Sequence, residues 1–209
     1  MTLNALINLI GILIIVVIVI AIFYFLSKNP SDDSGNSPAK HARENGGVDQ
    51  TLRALSRYAS SHGFQILRPA KITSGGNTAQ LDAVLVTYCG VIGVRCLGYN
   101  GEVFANPGES EWLWVTAEGR RRFPDPVAQC AADARVLRDL LIREPKLKNI
   151  PVECLAVFTD KDVQLSIPKS VPILRRKDLI PQLEQSHYLE DKGIDADRIT
   201  ALLKGACEG

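Results

Sequence analysis

Residues 5–26 read ALINLIGILIIVVIVIAIFYFL, and Asn8 is the one strongly polar side chain in the run. A helix rising about 1.5 Å per residue would carry it across the roughly 30 Å hydrocarbon layer of a bilayer. The rival reading is a cleaved leader. Leaders have a basic n-region and an apolar core of about 7–15 residues. Here no Lys or Arg comes before the run, it is too long, and it closes on the interface-type aromatics of IFYFLSKNP. The expectation is a retained single-pass anchor over residues 1–28. Lys28, Lys40 and Arg43 follow it, so the positive-inside rule puts the amino terminus outside an inner membrane and the rest in the cytoplasm.

Everything after the anchor must fold without it. Residues 29–47 are rich in Ser, Asn, Pro, Gly and mixed charge with no apolar periodicity, which reads as a flexible tether. Residues 48–209 are long enough for one domain with a core of its own. With 24 basic against 23 acidic side chains the net charge is +1, too weak a field to hold nucleic acid unaided. Any such binding needs a local site. The five cysteines contain no C-x-x-C pair, and His41, His62 and His187 are widely separated, so neither a disulfide framework nor a zinc knuckle is indicated.

Periodicity supplies the elements. VDQTLRALSRYASSHG places Val48, Leu52, Leu55 and Tyr58 or Ala59 at helical spacing, with Gly63 as a stop. FQILRPAKI, LDAVLVTY, VIGVRCL, GEVFAN and EWLWV read as strands, with Cys89-Gly90 and Asn100-Gly101 as turns. A long helix starts at Pro126, its apolar stripe formed by Val127, Cys130 or Ala131, Ala134, Leu137 and Leu141. VECLAVFTD reads as a buried central strand, and two short helices close the chain near 177–185 and 195–204. The fold expected is α/β, with helices packed around one sheet. Trp112 and Trp114 are expected to divide between core and sheet edge. GRRRFP, with Arg120, Arg121 and Arg122, reads as a solvated turn, contact with phosphate or anionic lipid being the functional alternative.

The order QLD, then V-x-V-x-x-x-G, then a strand ending near Y-N-G, then Trp, then F-P-D-P-V-A-Q resembles the NERD family, the nuclease-related domain. The likeness covers about residues 49–180. It implies a restriction-endonuclease-like fold, a central mixed sheet flanked by helices, with a site of the PD-(D/E)xK type. In such a site an Asp and a Glu hold Mg²⁺, and a Lys two residues beyond the Glu assists the attacking water. Hard oxygen ligands suit Mg²⁺, which lowers the pKa of its water, and residues two apart on a strand share a face.

Asp82 matches the family aspartate of QLD, beside Gln80, and Asp49 stands for the acidic residue on the first helix. Gln129 falls on the Pro-x-x-Gln that the resemblance makes site-facing. The E-x-K positions, however, hold Arg95 and Leu97. Glu102 is the nearest carboxylate downstream, and Lys71 or the three arginines offer substitute cations but no carboxylate. The expectation is a domain that keeps the fold without the nuclease chemistry, needs no cofactor, and serves as a nucleic-acid-associated or assembly module. Its partners would be the membrane, DNA, or other membrane or DNA-processing proteins. Two alternatives stand beside it: a divergent Mg²⁺-dependent DNA nuclease with Asp82 as the metal ligand, and a pure protein-interaction module. In the non-catalytic reading the Arg95 guanidinium faces Asp82 across neighbouring strands and neutralises it.

Overall fold

The computed structural model describes residues 46–106 and 108–207; the apolar run and nearly all of the expected tether lie outside them. Among the described residues no helix is long and apolar enough to cross a membrane. The first helix, α1 (Gly46–His62), buries Val48, Leu55, Tyr58 and Ala59 along one stripe and ends at Gly63, whose φ of 71° suits a residue without Cβ.

Three sheets follow instead of the single sheet expected. The strands are β1 (Gln65–Leu67), β2 (Ala70–Ser74), β3 (Asn77–Leu81), β4 (Ala83–Val86), β5 (Val91–Leu97), β6 (Glu102–Phe104), β7 (Glu111–Thr116), β8 (Gly119–Pro124), β9 (Val152–Phe158), β10 (Gln164–Ser166) and β11 (Ile173–Arg175). The central sheet runs β1-β4-β5-β9-β11 and is mixed: β4 lies antiparallel to β1 and β5, while β9 lies parallel to β5 and β11. A second sheet runs β10-β6-β7-β8, and β2 with β3 forms a hairpin. The switch to parallel pairing begins at Gly90. The Val91 amide donates to the Pro151 carbonyl (2.9 Å), and a Cβ at Gly90 would collide with that carbonyl.

Helices clothe the central sheet on both faces. On one face α1 and α3 (Arg176–Leu183) meet Leu85, Ile92, Val94 and Val157. On the other, α2 (Pro126–Ile142) and α5 (Ala196–Cys207) pack Leu137, Leu141, Ile199 and Leu203 against Val84, Val86 and Val91. A short α4 (Ser186–Leu189) lies between α3 and α5. Burying each such side chain contributes about 1.5–3 kcal/mol, and β5 is buried at every position except the half-buried Arg95.

Several local expectations change. FQILRPAKI is broken at Pro69, which follows a cis peptide bond and offers no N–H to a ladder, so it gives β1 and β2. LDAVLVTY bends at Asp82, dividing β3 from β4. GRRRFP is the edge strand β8 and not a turn. Trp112 and Trp114, two apart, share one face and are both buried with Tyr99, Phe123 and Phe158. Neither is free to stack a base. Along α2 the buried stripe is Pro126, Cys130, Asp133, Val136, Leu137, Leu140 and Leu141, while Ala131 is exposed and Val127 and Ala134 are half-buried.

Candidate functional site

The bend between β3 and β4 turns the Asp82 side chain toward β5. Its amide donates to the Val94 carbonyl (3.0 Å), and its Oδ2 accepts the Cys96 amide at 2.7 Å. The carboxylate thus closes a main-chain ladder at the point where the strand turns away. Such a charge-assisted bond is stronger than a neutral one.

Arg95 does not bond Asp82. Its Nη2 and Nε donate to Oδ2 of Asp133 on α2, at 2.6 and 3.1 Å, with the two side chains 19% and 7% exposed. The expected Asp82–Arg95 pair is therefore replaced by Arg95–Asp133, and Asp82 and Arg95 form no ion pair among the described residues. The reason is geometric. Asp82 is occupied by the strand it borders, whereas α2 crosses that face of β5 and brings a carboxylate directly over position 95.

Burial pushes the Asp133 carboxyl above its ordinary range, against the pull of the Arg95 guanidinium and a hydrogen bond from the Gln80 amide, and the nearby Asp82 charge pushes the same way. For Arg95 burial works against the charge, but the hydrogen bonds and charge of Asp133 outweigh it and raise its pKa. Cys130 and Cys154 touch beside this pair, and the Cys130 contact together with burial drives the Cys154 thiol upward. Thiolate chemistry is thereby disfavoured.

The other candidates do not converge here. Asp49 is exposed on α1, 3.9 Å from Arg53. Gln129 is half-buried at the start of α2 and donates its main-chain amide to Asp125 (3.0 Å) as part of the helix opening. Leu97 is buried in the aromatic core, so a lysine there would lack water. Glu102 lies on β6 and accepts from Ser166 (3.2 Å). Lys71 is exposed on β2. Arg120 and Arg122 are exposed on the outer face of β8, opposite Val115 and Leu113. Arg121 pairs with Trp114 on the other face. Among the described residues none of these three arginines has a side-chain hydrogen bond or ion pair. Phe104, opposite Leu113, adds an exposed aromatic to the same outer face.

Asp133 was not among the residues singled out from sequence. A charged residue three after Cys130 and four before Leu137 falls on the apolar stripe, and that signal marks a buried charge in need of a partner. Phe104 carried no comparable signal.

A mixed central sheet clothed by helices, with an aspartate at a strand bend facing the next strand, is the arrangement of a restriction-endonuclease-like domain. The nuclease-related domain (NERD) profile matches residues 43–159, more than half of the chain, and the protein belongs to that family. No curated protein matches it. The residues present do not fit the divalent cation that the family's nuclease chemistry implies. Asp82 is engaged by a main-chain amide, position 95 holds a cation, position 97 is apolar, and no three His, Cys, Asp or Glu side chains among the described residues stand where they could share an ion.

Proposed function

We propose that this chain is a non-cleaving NERD protein, tethered to the inner membrane by residues 1–28 with its domain in the cytoplasm, that associates with nucleic acid. The observation that carries the loss of cleavage is the Arg95–Asp133 ion pair. A guanidinium at the metal-binding position repels a divalent cation and neutralises the carboxylate nearest to it, and Mg²⁺ depends on charged oxygen ligands to offset its dehydration. The nucleic-acid role is supported by the outer face of the second sheet. There Arg120 and Arg122, about 7 Å apart as alternate strand residues, flank half-buried aliphatics and the exposed Phe104. Unpaired arginines beside an exposed ring suit a phosphate backbone and an unstacked base.

Two assays on the full chain in non-ionic detergent test the reading. Incubation with supercoiled plasmid and Mg²⁺ should leave the plasmid intact; nicking that disappears in Asp82→Ala overturns the loss of cleavage. Retention of single-stranded DNA should fall steeply with salt and fall again when Arg120 and Arg122 are both changed to Ala. Absence of salt-sensitive retention leaves an interaction module without nucleic acid.

A further inference from the structure

The strand β9 spans Val152–Phe158, yet its outer neighbour β11 pairs only with Ala156, Val157 and Phe158. The first half of β9 therefore has an open side. Main-chain direction there follows from its hydrogen bonds. The Pro151 carbonyl accepts from Val91 and the Thr159 amide donates to Leu97, each at 2.9 Å, so odd-numbered residues turn toward β5. Even-numbered residues turn outward. The outward carbonyl of Val152 is taken by the Arg138 guanidinium at 3.2 Å. The outward amide and carbonyl of Cys154 face the gap. To lengthen the parallel ladder backward, β11 would need an N–H at position 172, and Pro172 has none.

A cavity of about 500 Å³ lies along this gap. One wall is the α2 surface of Val127, Ala131 and Ala134, whose short side chains leave the space open. The opposite wall is mixed: Leu155 and Leu174, with Glu153, held by the Tyr188 hydroxyl at 2.6 Å, and Gln182 supplying its polar groups. Main-chain groups at the base, an apolar wall on one side and a carboxylate on the other match the two faces of an extended chain, whose successive side chains alternate.

We propose that the open half of β9 is a strand-addition site for an extended polypeptide segment, which bonds the Cys154 main chain, sets apolar side chains against α2 and sets a basic side chain against Glu153. A small apolar ligand would leave the Cys154 amide and carbonyl unused, and an acidic segment would meet Glu153 with like charge. This reading is independent of the arginine strand and of any nucleic-acid role.

The test uses the full chain in non-ionic detergent and three fluorescein-labelled, end-capped heptapeptides: alternating Val and Lys, alternating Val and Glu, and the Val–Lys sequence N-methylated at every second residue. Fluorescence anisotropy should show saturable binding of the first peptide and at least about tenfold weaker binding of the other two. Ala131→Trp, which fills the groove from an exposed helix position, should weaken the first peptide by a similar factor without moving the melting temperature. Glu153→Gln should weaken it less. No saturable binding overturns the proposal, as does equal binding of the N-methylated peptide or insensitivity to both substitutions. Concentration-dependent self-association lost in Ala131→Trp, without peptide binding, assigns the groove to a second copy of the chain and also overturns it.

Discussion

Arg95 on β5 and the Arg120–Arg122 pair on β8 carry the same side chain in opposite settings. Arg95 is a cation enclosed between a sheet and a helix, held by one carboxylate that is itself buried. Arg120 and Arg122 stand on an outer sheet face, exposed, with no partner among the described residues. The first belongs to the architecture and leaves little charge for a ligand. The second costs the fold nothing to keep and leaves its charge available. Charge content alone, 24 basic against 23 acidic, says nothing of this division; enclosure decides it.

The largest effect expected is on the enclosed side. Asp133→Ala leaves a guanidinium unpaired in the interior and should destabilise by about 3–5 kcal/mol, read by denaturant unfolding. Arg95→Met together with Asp133→Leu, which removes both charges, should recover most of that loss; failure to recover it would mean that the pair also specifies the packing of α2 on β5. Asp82→Ala should cost about 1–3 kcal/mol, because the Cys96 amide loses its acceptor, while Asp82→Asn should cost less. In double-mutant cycles Arg95 and Asp133 should couple by about 0.5–3 kcal/mol and Arg95 and Asp82 by less than about 0.5. Appreciable Arg95–Asp82 coupling would return Asp82 to the ion pair. Burial raises the Asp133 carboxyl above its ordinary value of 3.8. A carboxyl that protonates more readily when folded contributes its stability below that value and loses it as pH climbs through the raised one. Melting temperatures of wild type relative to Asp133→Asn should therefore fall as pH rises across that interval. Smallest of all, Arg120→Ala and Arg122→Ala should each change stability by less than about 0.5 kcal/mol while flattening the salt dependence of single-stranded DNA retention by about 0.7 units of slope apiece.

Legibility in sequence follows the same division between local and distant causes. VIGVRCL corresponds to β5 residue for residue, because a strand buried on both faces is a continuous apolar run. The start of α2 at Pro126 was equally readable, and the structure adds the Asp125 side chain accepting the Val127 amide at 2.8 Å. The position and chemistry of Arg95 were visible, but its partner was not. Asp133 lies 38 positions away, and an α2 stripe read through its apolar residues alone passes over the charged residue lying beside them. The edge strands escaped for a related reason. β8 carries three arginines and β11 is only three residues long, so neither has the apolar alternation that identifies a strand.

The aromatic core has one more consequence. Trp112 and Trp114 are the only two tryptophans of the chain, and both sit behind β8 with Tyr99 and Phe123, the Trp114 indole N–H donating to the Asn100 carbonyl. Indole emission therefore watches the arginine-bearing sheet from behind. Phe158 of β9, packed against Trp112 with ring centroids 6.4 Å apart, is its ring contact with the central sheet. Far-ultraviolet dichroism averages over every helix and strand. The two signals followed through the same melt report separately on the second sheet and on the whole domain, and their superposition or divergence measures how tightly the layers are coupled.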